Sequence, residues 1–145
     1  MIRKGGFTLV EILVVVVLLG IMAAIIVPQF TGASNATRTS ALLTDLRRVR
    51  SQMEFYKFQH KGRLPAATGE TTDDFLRRIT TKTDASGNVG NDFGPYIQNI
   101  PVNPFNDLST VRIDGGIAGS NTDGWRFDTT TGAFQADDSA VNAEF

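Results

Sequence analysis

Glu11 is the residue with the most chemistry to explain. It stands at the head of an apolar run, Ile12–Val27, in which no side chain is charged or polar. A charged side chain held among that much hydrocarbon costs about 2.5–3.5 kcal/mol at a bilayer centre on insertion scales. A counter-charge lies just upstream. Arg3 and Lys4 with Gly5-Gly6 read as a short basic leader. A cut after Gly6 would leave a positive α-amino group on Phe7, the natural partner of a buried carboxylate. Glycine suits a cleavage site whose peptidase must fit the backbone closely, because it has no side chain to obstruct the approach. Pro28 closes the run. It removes one helical hydrogen bond and crowds the turn before it, so a kink or local opening is expected near Met22–Ala24.

Other readings of this N-terminus fit less well. An ordinary secretory signal has an apolar core of about 7–15 residues followed by a small-residue cleavage site. The run here is longer, and Ile25-Ile26-Val27-Pro28-Gln29-Phe30 offers no such site. A plain membrane anchor accounts for the length, since about 20 apolar residues span a bilayer. It does not account for Gly5-Gly6 or Glu11. A core helix of a soluble protein is not normally apolar all round.

Gly6, Phe7, Thr8, Leu9 and Glu11 before a long apolar segment resemble the class III signal peptides of type IV pilins and of type II secretion pseudopilins. The resemblance is specific over roughly the first 60 residues. It implies a prepilin peptidase that cleaves after Gly6 and methylates the new N-terminus at Phe7. It also implies an inner-membrane assembly platform, minor pseudopilins as co-subunits, and extraction of the subunit into a helical homo-oligomeric filament. Assembly then involves Glu11, Phe7 and Pro28, the last in a stretch similar to one that unwinds in assembled pilin filaments.

The elements that must position these residues follow from the pattern. From Ala41 the helix turns amphipathic. Leu42, Leu46, Val49, Met53 and Tyr56 recur at helical spacing, with Arg47, Arg48, Arg50 and Lys57 mostly off the stripe. Gly62 and Pro65 end it in the expected order. A helix from Thr8 to Lys61 would be roughly 80 Å long at 1.5 Å per residue, so its first half is expected to protrude. Thr71 and Asp74 have capping-box spacing ahead of a short helix through Ile79. Asp84–Asn88 reads as a turn, and Pro95, Pro101 and Pro104 keep 91–106 irregular. Leu108–Ile113, Trp125–Phe127 and Phe134–Ala136 read as strands, the last two a hairpin around Thr129–Gly132. Alternation leaves open whether Trp125, Phe127 and Phe134 share a face. The tail Asp137–Phe145 is expected to fray.

The fold class is therefore α+β, the pilin fold: a long N-terminal helix, half transmembrane and half amphipathic, packed on a small C-terminal antiparallel sheet. Residues 1–6 are leader and 7–30 the transmembrane and assembly helix. Residues 31–145 form the extracytoplasmic head, divided into helix 31–61, loop region 62–107 and sheet 108–136. Arg3 and Lys4 place the N-terminus in the cytoplasm and the head across the inner membrane, in the periplasm or outside.

The chain has no cysteine, which excludes disulfide staples and thiolate chemistry. Many type IV pilins close a C-terminal loop with a disulfide, so its absence leans toward the pseudopilins. The stretches Tyr56–Pro65, Ile100–Phe105 and Gly124–Asp128 also resemble major pseudopilins. Charge is uneven: beyond Lys82 the chain has two cations, Arg112 and Arg126, against nine carboxylates. So acidic a head is a poor nucleic-acid partner. It suits either plain solvation or docking on a basic stem of another copy.

Major pseudopilins carry a calcium loop near the C-terminus, and here the chain departs from them. Asp123, Asp128, Asp137 and Asp138 form no cluster that aligns with it, and calcium requires six or more converging oxygens. No metal and no cofactor is assigned. His60, among Lys57, Lys61 and Arg63, lacks the carboxylate partner usual for a general base. No phosphate loop, nucleophile elbow or catalytic residue is assigned. The sequence reads as a non-enzymatic major pseudopilin of a type II secretion system, with a type IV pilus pilin as the alternative. A small membrane-anchored hydrolase is the remote rival, and a deep polar pocket would favour it.

Overall fold

The computed structural model describes residue 6 and residues 8–145, with the side chains of 27–33 outside the description. The leader residues 1–5 and Phe7 lie outside the described residues. The chain forms two compact units, 1–37 and 38–145.

Helix α1 runs Leu9–Gln59 and is continuous through Met22–Ala24. The local opening expected there is absent. Within the first unit, Leu9–Ile26 has a mean hydropathy of 3.1 and none of its residues is buried. Eighteen helical residues rise about 27 Å, close to the roughly 30 Å of a hydrocarbon core. The helix is long and apolar enough to cross a membrane.

In the second unit the amphipathic stripe is core. Leu42, Leu46, Val49, Met53 and Tyr56 are all buried, as the spacing predicts. The end of α1 is also as read: the Gly62 amide donates to the Lys57 carbonyl at 2.8 Å, with Gly62 at φ 83°. Helix α2, Thr72–Thr80, begins with a full Thr71–Asp74 capping box and buries Phe75 and Ile79. Asp84 nucleates its turn by accepting from the Ser86 and Asn88 amides at 2.8 and 3.0 Å.

The sheet has three strands, β1 (Val111–Ile113), β2 (Trp125–Phe127) and β3 (Phe134–Ala136), in that order. β2 and β3 form the expected antiparallel hairpin, with Phe127 opposite Phe134. That register settles the facing question: Trp125, Phe127 and Phe134 lie on one side, and all are fully buried. They pack with Phe75 and the α1 stripe in one core.

Two expectations need correction. The sheet is not wholly antiparallel, because β1 pairs parallel to β2, with Val111 beside Trp125. The chain leaving β1 does not turn directly into β2 as a hairpin would. The connection 114–124 doubles back along β1, and Arg112 donates to the carbonyls of Asp114 and Gly116 on that return path. Nor does the tail fray. Asn142 and Ala143 are buried, a 3-10 turn forms at Asn142–Glu144, and Arg50 of α1 donates to the Phe145 carbonyl at 2.6 Å. Hydrogen-bonding side chains hold this segment down, and hydrophobic periodicity does not report them.

Phe134 stacks 5.4 Å from Trp125 and 6.3 Å from Phe75, ring centre to ring centre. Replacing it by alanine leaves a cavity at the middle of the core. We expect Phe134→Ala to destabilise the head by about 3–5 kcal/mol. Urea unfolding of the full chain in detergent, followed by Trp125 fluorescence, measures it; a loss under about 1 kcal/mol would contradict this packing.

Candidate functional site

At the start of α1, Thr8 and Glu11 are joined by three hydrogen bonds. The Thr8 amide and hydroxyl donate to Glu11 Oε2 at 2.8 and 2.7 Å, and the Glu11 amide donates to Thr8 Oγ1 at 3.2 Å. This is a capping box. Each side chain satisfies a backbone amide that the first helical turn leaves without a partner. Sequence reasoning treated Glu11 as a lone charge and missed this, although a threonine three residues before a carboxylate is also the signal that located the start of α2. The carboxylate therefore has a partner within its own subunit. It also sits at the positive end of the helix dipole, where negative charge is favoured.

The other assembly residues fare differently. Gly6 is exposed, and a Cβ added there would meet nothing within 4 Å. Among the described residues nothing requires glycine at that position. Phe7 lies outside the described residues. The Pro28 backbone lies within α1, and its side chain is outside the description.

The C-terminal loop is where the resemblance implies calcium. Asp137 is fully buried and saturated with donors. Its Oδ1 accepts from Arg112 Nη2 at 2.7 Å and from the Gly119 and Ser120 amides at 2.9 and 3.3 Å. Its Oδ2 accepts from the Ser120 and Thr122 hydroxyls and the Asp123 amide at 3.0–3.2 Å. Asp128 caps its own turn through the Thr130 and Thr131 amides. Asp138 accepts from Asn103 and Asn142. Among the described residues no three His, Cys, Asp or Glu side chains gather as a metal site would need. These residues do not fit a calcium ion. They hold one another.

His60 is fully buried, and both ring nitrogens are engaged. Nδ1 lies 2.9 Å from the Tyr56 carbonyl, which can only accept, so Nδ1 donates there, and Nε2 is hydrogen-bonded to the Thr83 hydroxyl at 3.0 Å. The ring stacks on Tyr56 at 3.9 Å. It pins the end of α1 to Thr83. An open depression of about 500 Å³ lies nearby, with Tyr56, Arg63, Glu70, Arg78 and Thr129 in its wall. Its lining contains no histidine, cysteine or lysine. Arg78 is held by Glu70 and by the Gly87 and Pro65 carbonyls, and Arg63 by the Ser86 carbonyl. Glu70, the one carboxylate of this wall, is committed to Arg78.

A capped apolar N-terminal helix and an α+β head are consistent with the pilin class. A family model described as the prokaryotic N-terminal methylation motif matches residues 1–27. The chain is 30% identical over 134 residues to type II secretion system core protein G of Vibrio cholerae, covering 83% of this chain and 88% of that protein. The same-named protein of Klebsiella pneumoniae is 31% identical over 104 residues, 71% of this chain and 70% of that one. That of Pseudomonas aeruginosa is 26% identical over 136 residues, 83% and 92% respectively. No solved structure matches the chain. The chain belongs to the type II secretion system core protein G family, the major pseudopilins.

The Asp137 network gives the head a defined response to acid. Burial by itself pushes the Asp137 carboxyl up, but the Arg112 guanidinium, the Ser120 hydroxyl and the Ser120 and Gly119 amides outweigh it and hold it at about 2. A carboxyl depressed below its unfolded value of about 3.9 contributes stability that is full above that value and lost as pH falls toward the folded one. The head's melting midpoint should therefore hold steady from neutrality to about pH 5 and fall between about pH 4 and 2. Asp74 and Asp128, also held at about 2, share the window. Asp137→Asn should melt lower at neutral pH and lose less on acidification. Trp125 fluorescence melts across a pH series check both slopes.

Proposed function

We propose that this chain is a structural subunit of a helical filament drawn from the inner membrane, the pseudopilus of a type II secretion system. In this reading a prepilin peptidase cuts after Gly6 and methylates Phe7. The Leu9–Ile26 helix anchors the subunit, with the N-terminus cytoplasmic and the head periplasmic, until an assembly platform extracts it to join further copies and minor pseudopilins. The observation that carries the proposal is the capped helix of Leu9–Ile26, apolar throughout except for Glu11, in a chain similar over most of its length to core protein G. The family match fits a subunit that acts by packing rather than by catalysis, and the engaged state of His60 agrees with that.

Gly6 supports an external reader of the cleavage site, since the subunit's own packing leaves room for a side chain there. Gly6→Leu should leave nearly all of the protein uncut. Intact mass of membrane-derived protein measures this: wild type beginning at methylated Phe7 agrees with the scheme, and wild type still beginning at Met1 overturns it.

Glu11 is assigned two partners in succession, its own Thr8 in the membrane and the Phe7 amine of a neighbour in the filament. Two variants separate them. Glu11→Gln keeps a side chain that serves in a capping box but carries no charge. Glu11→Leu removes both functions. Both variants should insert and be cleaved, and both should lose at least about tenfold in filament yield, since truncating one partner of a buried charge pair costs several kcal/mol. The measurement compares processed subunit in membranes with subunit sheared into filaments. Normal filaments from Glu11→Gln would show that the carboxylate matters only as a cap.

A further inference from the structure

The connection 114–124 and the side chain of Arg112 face each other in an arrangement that the filament reading does not use. Arg112 Nη1 donates to the carbonyls of Asp114 and Gly116 at 2.9 and 3.1 Å. Nη2 donates to the Ile117 carbonyl and the Ser120 hydroxyl at 3.3 Å each, and to Asp137 Oδ1 at 2.7 Å. Loop carbonyls, a hydroxyl and a buried carboxylate are the ligand types that a hard divalent cation selects. In this chain they are turned toward a guanidinium.

We propose that Arg112 is the cation of this loop, a built-in replacement for the calcium ion that its family implies, so that the head closes and holds its shape without metal. Charge and geometry both favour the arginine. The acceptors are spread along a planar fork, which matches guanidinium donors and not the common centre a calcium ion requires. One full carboxylate, Asp137, pairs with it at close range, and Asp123 stands off at 3.9 Å from Nε. Asp137 is thus the one carboxylate at hydrogen-bonding distance from the guanidinium. Asp137 has no oxygen to spare, since its second oxygen is taken by Ser120, Thr122 and the Asp123 amide. The loop is also closed from behind. Gly119 adopts φ +91°, and a Cβ there would lie 2.5 Å from the Ala140 amide nitrogen, so the backbone is pressed against the tail. Room for an incoming ion would have to come from breaking these contacts.

The inference concerns the head alone and stands whether or not the subunit enters a secretion filament. Full-length protein in detergent micelles is melted in EGTA and in millimolar calcium chloride, with magnesium as the ionic control, and Trp125 fluorescence reports the head. Wild type should melt at the same temperature, within about 1 °C, in all three. A ligand that binds the folded state at about a hundredfold above its dissociation constant would raise the midpoint by roughly 10 °C in a domain of this size, so a calcium-dependent rise above about 5 °C overturns the proposal. Arg112→Met removes the charge at similar volume and should lower the midpoint by about 10 °C or more, with Arg112→Lys recovering part of the loss. Wild type and Arg112→Met melting together would equally overturn it. If the methionine variant does not fold, the wild-type comparison decides alone.

Discussion

The structure depends on one helix meeting two different surroundings. Leu9–Ile26 presents apolar side chains on every side, and Leu42 to Tyr56 presents them on one. The first pattern is stable where there is no water, and the second only where protein covers the stripe. Everything in the head serves that second need. Helix α2 and strands β2 and β3 bring Phe75, Trp125, Phe127 and Phe134 against the stripe, and the irregular chain between them is what spans from one to the next. A shift of the amphipathic pattern by one residue would turn the stripe away from these rings and leave the aromatic layer without a floor.

A small core of this kind needs fixing at its edges, and polar side chains do that work. Asp137 joins β1, through Arg112, to the 114–124 connection and to the start of the tail. Arg50 reaches from α1 to the carbonyls of Phe134 and Phe145. Asn103 ties the proline-rich stretch to Gly124 and Asp138. Without cysteines, these buried or half-buried polar links take the place of covalent staples. Each is worth little if water can reach it and much if it cannot, which is why the fully buried Asp137 carries more of the load than Glu54 and Lys57 on the exposed face of α1.

The parts legible in the sequence were those written in short-range pattern. The stripe from Leu42 to Tyr56, the Thr71–Asp74 cap, the Asp84 turn and the hairpin around Gly132 each occupy a few adjacent turns or strands, and each appears as read. The parallel pairing of β1 was not legible, because nothing local distinguishes a turn that begins a hairpin from one that begins a return path. The ordered tail was missed for a related reason. Its anchors are Asp137, Asp138 and Asn142, residue types that look the same in a frayed end as in a packed one until their partners are known. Arg112 and Asp137 lie 25 positions apart, and only the crossover brings them together. Thr8 and Glu11 are different: their spacing is local and legible, but a carboxylate beside hydrocarbon invites an explanation by charge before one by geometry.

The Thr8–Glu11 cap bears on how firmly such subunits could hold together. The carboxylate is not bare before docking, so a neighbour that takes it must first take it from Thr8. What adhesion gains is then the difference between two satisfied states, not the full strength of an ion pair in lipid. Contacts of that kind set position sharply while adding little net affinity. An assembly built on such contacts would come apart under forces about as small as those that form it.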